Sequence, residues 1–192
     1  MIDEKNIERI FIALDRQILA AGGKPISLVV CGGTALAALG LVSRTTKDVD
    51  LLGLLEKGEV RKMGSFPAWL SEAAARVRAD FDLPTDWLNL GPESQLDTGL
   101  PDGFPERLVK KTYGRRLTVC FISRIDQIHF KLYASLDRGG YHVQDLFQLA
   151  PSGAELFAAC RWVMTQDVST GFRAILVSFL MKHGYDELAG KL

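Results

Sequence analysis

Two adjacent glycines, Gly32-Gly33, interrupt an apolar run of strand character (Ile26, Leu28, Val29, Val30) just where a helix-forming segment, Thr34-Ala35-Leu36, begins. A chain that passes from strand to helix within two residues needs backbone angles open mainly to glycine. The same turn lets the backbone approach an anion, beside the unpaired N–H groups of a helix start. One short helix later the chain reads Arg44-Thr45-Thr46-Lys47-Asp48-Val49-Asp50-Leu51-Leu52. Val49 to Leu55 is expected as a strand, and its period of two places Asp48 and Asp50 on one face. Paired carboxylates repel unless a cation lies between them, and hard oxygen ligands suit magnesium shared with substrate phosphates.

The rest of the chain supplies a core for this segment. Its 192 residues are 47% apolar, enough for one domain or one domain with a helical annex. Basic and acidic residues balance at 23 each, so overall charge selects no polyanionic partner, although a local basic patch remains open. Cys31, Cys120 and Cys160 lie far apart in apolar runs and read as buried hydrophobes, which suits a reducing cytosol. There is no signal-peptide pattern and no apolar run long enough to span a bilayer. A cytoplasmic protein is expected.

Helical spacing marks Ile7, Ile10, Phe11, Leu14 and Ile18, ending at Gly22-Gly23. A Gly-rich, charged connection covers Gly53 to Gly64, and Pro67 opens a helical pattern through Leu70, Ala73, Ala74, Val77 and Phe81. Asp86 to Leu90 reads as a short strand, Gly91 to Pro105 as a long loop and Leu117 to Ile122 as a buried strand. Beyond Arg124 only helical patterns follow: Ile125 to Arg138, Tyr141 to Leu149, Ala154 to Thr165 and Phe172 to His183. A mixed sheet followed by helices predicts an α+β fold, with a first domain over 1–123 and a helical region over 124–192.

The order strand, Gly-Gly-Thr, helix, Asp-Val-Asp resembles the signature of the nucleotidyltransferase superfamily related to DNA polymerase beta. The longer pattern, Gly-Gly-Thr-Ala-Leu followed by Arg-Thr-Thr-Lys-Asp-Val-Asp-Leu-Leu, is similar more specifically to the bacterial branch of abortive-infection type toxins. The resemblance implies a small mixed-sheet nucleotidyltransferase core with a C-terminal helical bundle. It also implies transfer of a nucleotidyl group from a nucleoside triphosphate to an RNA (tRNA included) or protein acceptor, with Mg2+ or Mn2+ as cofactor and a cognate antitoxin as partner. Asp48 and Asp50 are the expected metal ligands, and Gly32, Gly33, Thr34 and Arg44 the nucleotide-binding residues. Thr34 has a second reading, as a helix cap. The Arg44 guanidinium offers a planar fork for phosphate, whereas Lys47 reads as solvated.

A second set of candidates lies in the helical region. Relatives in this branch carry a Lys on one helix followed by Asp-Arg, then a second helix with Lys-Asp-x-x-Asp, and the Lys and final Asp belong to the active site. The matching residues are Lys131, Asp137, Arg138 and Asp145, with Lys131 and Asp145 as catalytic candidates. From spacing alone Lys131 also reads as a snorkelling surface residue. Tyr141 and His142 depart from the pattern, and His142 could pair with Asp145 three residues on. Asp86 is the candidate third metal carboxylate, with neutral Asn89 the poorer one. The leading expectation is therefore a metal-dependent nucleotidyltransferase. The alternatives are a catalytically weakened nucleotide-binding or protein-interaction module of the same fold and, less well supported, an antibiotic-modifying adenylyltransferase.

Overall fold

The computed structural model describes residues 1–3, 5–42 and 45–192. The chain forms two compact units, Met1–Ser123 and Arg124–Leu192. The first holds helix α1 (Ile7–Ala20), strand β1 (Ile26–Cys31), the short helix α2 (Gly32–Ala38), strands β2 (Val49–Glu56) and β3 (Glu59–Arg61), helix α3 (Ala68–Phe81), and strands β4 (Leu88–Asn89), β5 (Val109–Thr112) and β6 (Leu117–Phe121). These strands make one mixed sheet of order β3-β2-β1-β6-β5, with β4 added on β2. β1 lies at the centre, antiparallel to β2 and parallel to β6. Its Leu28, Val29 and Val30 are fully buried, which explains the continuous apolar run.

Strand alternation separates the two faces of this sheet. Leu28 and Val30 stand opposite Val119 and Phe121 of β6, and Phe121 meets Phe11 of α1 at 6.1 Å between ring centroids. That face is covered by α1, which packs against α3. Asp15, buried on α1, accepts the backbone N–H groups of Arg116 (2.7 Å) and Leu117 (2.8 Å), tying the helix to the start of β6. Glu8 accepts from the Tyr113 hydroxyl at 3.1 Å. Burial first, and then the Glu8 charge, push that phenol's pKa well above its ordinary value. Trp87 lies buried with its indole N–H donating to the Ala74 carbonyl of α3 at 3.1 Å.

Several boundaries differ from the sequence reading, each for a physical reason. The strand expected from Asp86 to Leu90 shrinks to Leu88–Asn89, because Trp87 N–H closes a turn on the Pro84 carbonyl at 3.2 Å. The charged connection from Gly53 to Gly64 contains the end of β2 and all of β3, a hairpin turning through Lys57 and Gly58, both at positive φ. At Gly53, next to the Leu54–Arg61 pair of β2 and β3, a Cβ would run into the Arg61 carbonyl. The loop expected over Gly91 to Pro105 winds into 3₁₀ turns at Gly91–Asp97 and Pro105–Arg107. Its buried Glu93 accepts N–H groups from Met63 and Gly64. β5 lacks any buried residue and so carries no hydrophobic pattern to announce it.

The second unit contains α4 (Arg124–Asp137), α5 (Tyr141–Gln148), α6 (Gly153–Gln166), α7 (Thr170–Lys182) and the short α8 (Asp186–Ala189). Helix α4 packs on α5, α6 and α7. Trp162 of α6 stacks on Phe130 at 5.4 Å, with His129 and Tyr133 edge-on. Arg124, the first residue of α4, donates to the carbonyls of Leu149 and Ala150 and to the carboxylate of Glu155, so one guanidinium joins three helices. Glu155 also closes a capping box with Ser152 at the start of α6. Among the described residues no helix is long and apolar enough to cross a membrane.

The Arg124 hydrogen bond, followed by the Ser152 backbone bond, pulls the Glu155 carboxyl from 4.5 down to about 2. A folded-state pKa below the unfolded one gives stability that is present above pH 4.5 and lost as pH falls toward 2. Glu155→Gln should therefore melt below wild type at neutral pH, and thermal unfolding followed by circular dichroism should show that gap closing as pH drops through this window. A gap that stays constant with pH would contradict the assignment.

Candidate active site

The first group of candidates gathers where β1 ends and β2 begins. Cys31 and Asp50 are register partners, and the Cys31 thiol approaches the Asp50 carbonyl at 3.6 Å. Gly32 follows with φ +67°, a left-handed turn that starts α2. A Cβ at Gly32 would come within 2.5 Å of Asp50 Oδ2. The positive φ favours glycine at this position, and an added Cβ would displace the Asp50 carboxylate. Between Val29 and Val30 the β1–β2 register shifts, so that Leu52 is the extra residue of a bulge. Bulges of this kind bend a strand and re-aim its side chains.

Asp48 is held just before β2. Its Oδ1 accepts from the Thr46 hydroxyl at 2.9 Å, and its carbonyl accepts from the Thr34 hydroxyl at 2.6 Å. Thr46 is itself fixed by a two-way backbone bridge with Ile2, at 2.7 and 2.8 Å. The fully buried Ile2 side chain anchors that bridge. Thr34 is thus not a helix cap: α2 has Cys31 at its N-cap without a side-chain cap bond, and the Thr34 hydroxyl instead ties α2 to the approach to β2.

Asp50 has a second neighbour. β4 lies parallel to β2 in a register that sets Asn89 beside Asp50, and Asn89 Nδ2 donates to Asp50 Oδ1 at 3.2 Å. The Asn89 side-chain oxygen Oδ1 accepts from Gly91 N–H at 2.9 Å. Asp86 stands exposed in the turn ahead of β4, outside this register. The strand position next to Asp50 thus holds an amide, where the sequence reading favoured Asp86. Among the described residues no three His, Cys, Asp or Glu side chains form a group able to hold a metal. Arg44 lies outside the described residues, and Lys47 is exposed.

The second group lies wholly within the helical unit. Lys131 of α4 and Asp145 of α5 form an ion pair at 2.7 Å, with only 5% and 3% of their side chains accessible. Lys131 is therefore not a snorkelling surface residue. Its ammonium also sits 5.8 Å from the Tyr141 ring centroid. A buried pair of this kind costs desolvation energy and is weak evidence for stability. His142 is buried on the same helix as Asp145, while Asp137 and Arg138 pair with each other at the exposed end of α4. His129 Nδ1 lies 2.8 Å from the Ile125 carbonyl within its own helix.

A central β1 runs into a glycine turn, and the antiparallel β2 beside it is entered through Asp48 and Asp50. Residues 13–147 match the family model described as nucleotidyl transferase AbiEii toxin, type IV TA system. The match covers more than half of the chain, which therefore belongs to this family of transferase toxins. Searches of curated proteins and of solved structures gave no match. The two residues that sequence reasoning missed are Thr46 and Ile2. Thr46 could have been found from its place inside the Arg-Thr-Thr-Lys-Asp run; Ile2 carries no local signal.

Gly22 provides an internal control for Gly32, since it has φ +69° and nothing within 4 Å of the point an added methyl group would occupy. Gly22→Ala should show only the left-handed strain, about 1–2 kcal/mol in urea unfolding. Gly32→Ala should lose more than this and should also weaken nucleoside triphosphate binding in calorimetry. Equal stability losses with nucleotide affinity intact would show that Asp50 does not depend on the turn.

Proposed function

We propose that this chain is a metal-dependent nucleotidyltransferase that moves a nucleotidyl group from a nucleoside triphosphate to an RNA, tRNA included, or protein acceptor, and that a cognate antitoxin restrains it. The observation that carries the reading is the seating of Asp50 against the left-handed turn at Gly32, with Asp48 fixed two residues away by Thr46. Fixed carboxylates beside a glycine turn are what phosphoryl-group transfer asks of a protein, since positioning and charge stabilisation do most of that work.

The donor set fits magnesium or manganese. Hard carboxylate oxygens are present, and magnesium is usually held by one or two carboxylates together with substrate phosphates, without an all-protein cage. Asp48 and Asp50 would hold the ion; when bound it supplies positive charge to the phosphates. Gly32 and Gly33 allow the triphosphate to approach the backbone. Thr34 contributes through its backbone, because its hydroxyl is committed to Asp48. Arg44 belongs to the nucleotide site by its place in the motif. Lys131 and Asp145 are the second set on which the reaction depends, Asp145 keeping the Lys131 side chain in one orientation.

One observation supports the alternative of a catalytically weakened, nucleotide-binding relative: the neutral Asn89 at the strand position beside Asp50. An amide there lowers the negative charge available for a second metal ion. Asp86 remains a metal candidate only if the turn that holds it changes.

The two readings separate in one assay, in which purified protein is incubated with each labelled nucleoside triphosphate, magnesium and total bacterial RNA. Label should enter RNA or protein in a magnesium-dependent way, and Asp48→Asn, Asp50→Asn and Lys131→Met should each lower it by at least about a hundredfold. Undiminished labelling in Asp50→Asn would overturn the transferase reading. Nucleotide binding without any labelling would favour the weakened module.

A further inference from the structure

The chain is neutral overall, yet five of the ten residues from Arg107 to Arg116 are basic and none is acidic. This segment runs from the end of the second 3₁₀ turn through β5 and the turn before β6, at one end of the sheet. Its cations divide between the two faces of the sheet. Lys111 turns toward α1, where it pairs with Glu8 at 2.7 Å, so its charge is already balanced. Lys110 is the register partner of Cys120, and Cys120 is the partner of Val29. Alternation along β1 puts Val29 on the face of Cys31, and Cys31 is the partner of Asp50. Lys110 therefore projects on the same sheet face as Asp50, three strand spacings across and two residues along the sheet, or about 16 Å at the usual strand separation and rise.

Hydroxyls accompany it. Thr112 and Thr118 share that face, their oxygens 3.4 Å apart, and Thr112 is exposed. Arg115 is exposed in the turn between the strands. Neither Lys110 nor Arg115 enters an ion pair among the described residues. Two exposed lysines on an edge strand also oppose pairing with another chain's strand, which argues against a protein partner that docks by extending the sheet.

We propose that the β5–β6 hairpin binds the phosphate backbone of an RNA acceptor, with Lys110 and Arg115 as the main cations and Thr112 and Thr118 as hydroxyl donors on the face that bears Asp50. Charge complementarity selects a polyanion, and the hairpin offers its cations at the edge of the sheet, since Cys120 and Val29, which lie between Lys110 and Asp50 on this face, are fully buried. Backbone contacts of this type position a nucleic acid without reading its sequence. The inference deepens the transferase reading and rests on it for the acceptor role alone, since binding can be measured without chemistry.

The test is a fluorescence-anisotropy titration of the full chain with a labelled single-stranded RNA oligonucleotide over a range of salt concentrations. Losing two phosphate contacts should weaken Lys110→Ala/Arg115→Ala about 25-fold near 0.1 M salt and flatten the log–log salt slope by about 1.4. The charge-preserving Lys110→Arg/Arg115→Lys protein should bind as wild type does, and magnesium–nucleotide binding should be the same in all three. An unchanged affinity and slope in the alanine protein, or no RNA binding by wild type, overturns the proposal. So does displacement of the RNA by polyglutamate at equal charge concentration, which would indicate a site for acidic protein. Asp50→Asn should bind this RNA normally; labelling that survives in Asp50→Asn sinks the transferase reading and leaves the hairpin to be judged on the titration alone.

Discussion

The contact between the Gly32 backbone and the Asp50 carboxylate fixes much of the first unit. It requires β1 to end in a left-handed residue, and so makes the chain enter α2 at once. It is set up by β2 running antiparallel beside β1 with Asp50 opposite Cys31. The bulge at Leu52 lets β2 keep this register at its start and still pair with β1 further along. Thr34 and Thr46 then close the approach to β2 from either side of the intervening segment, by hydrogen bonds to the carbonyl and the carboxylate of Asp48. Local turn chemistry and long-range strand pairing meet at a single pair of residues.

The helical unit is organised by polar groups as well as by its core. Arg124 joins the ends of α4, α5 and α6 through two carbonyls and one carboxylate, satisfying groups that helix termini leave unpaired. The stacking of Phe130 on Trp162 fills the space between α4 and α6. The Lys131–Asp145 pair crosses from α4 to α5. Each of these contacts fixes a helix rotation, which apolar packing alone leaves less strictly defined.

Sequence reading succeeded where a residue's role is set by its neighbours in the chain. The Gly-Gly turn and the helical periods of α1, α3 and α4 to α7 are all local signals. It failed where the deciding partner lay far along the chain. Asn89 gains its place beside Asp50 from a parallel pairing that no nearby residue announces, and Asp86 loses its expected strand because Trp87 is drawn into the core beneath α3. Ile2 closes on Thr46, but nothing near Met1 foretells that bridge. β5 was missed because an edge strand with exposed lysines has no apolar face to reveal its period. Lys131 could be read either way from spacing, and only the resemblance favoured an active-site role; the buried partner at Asp145 settles that it is not a surface residue.

That buried pair also limits how the helical unit can change over generations. Replacing either Lys131 or Asp145 alone leaves a charge stranded in a site with almost no access to water, a loss of about 3–5 kcal/mol in comparable cases. Replacing both with apolar residues of similar volume is often neutral. Stability alone therefore leaves an uncharged pair open at these positions, and it is the proposed role of Lys131 and Asp145 in the reaction that would hold the charges there.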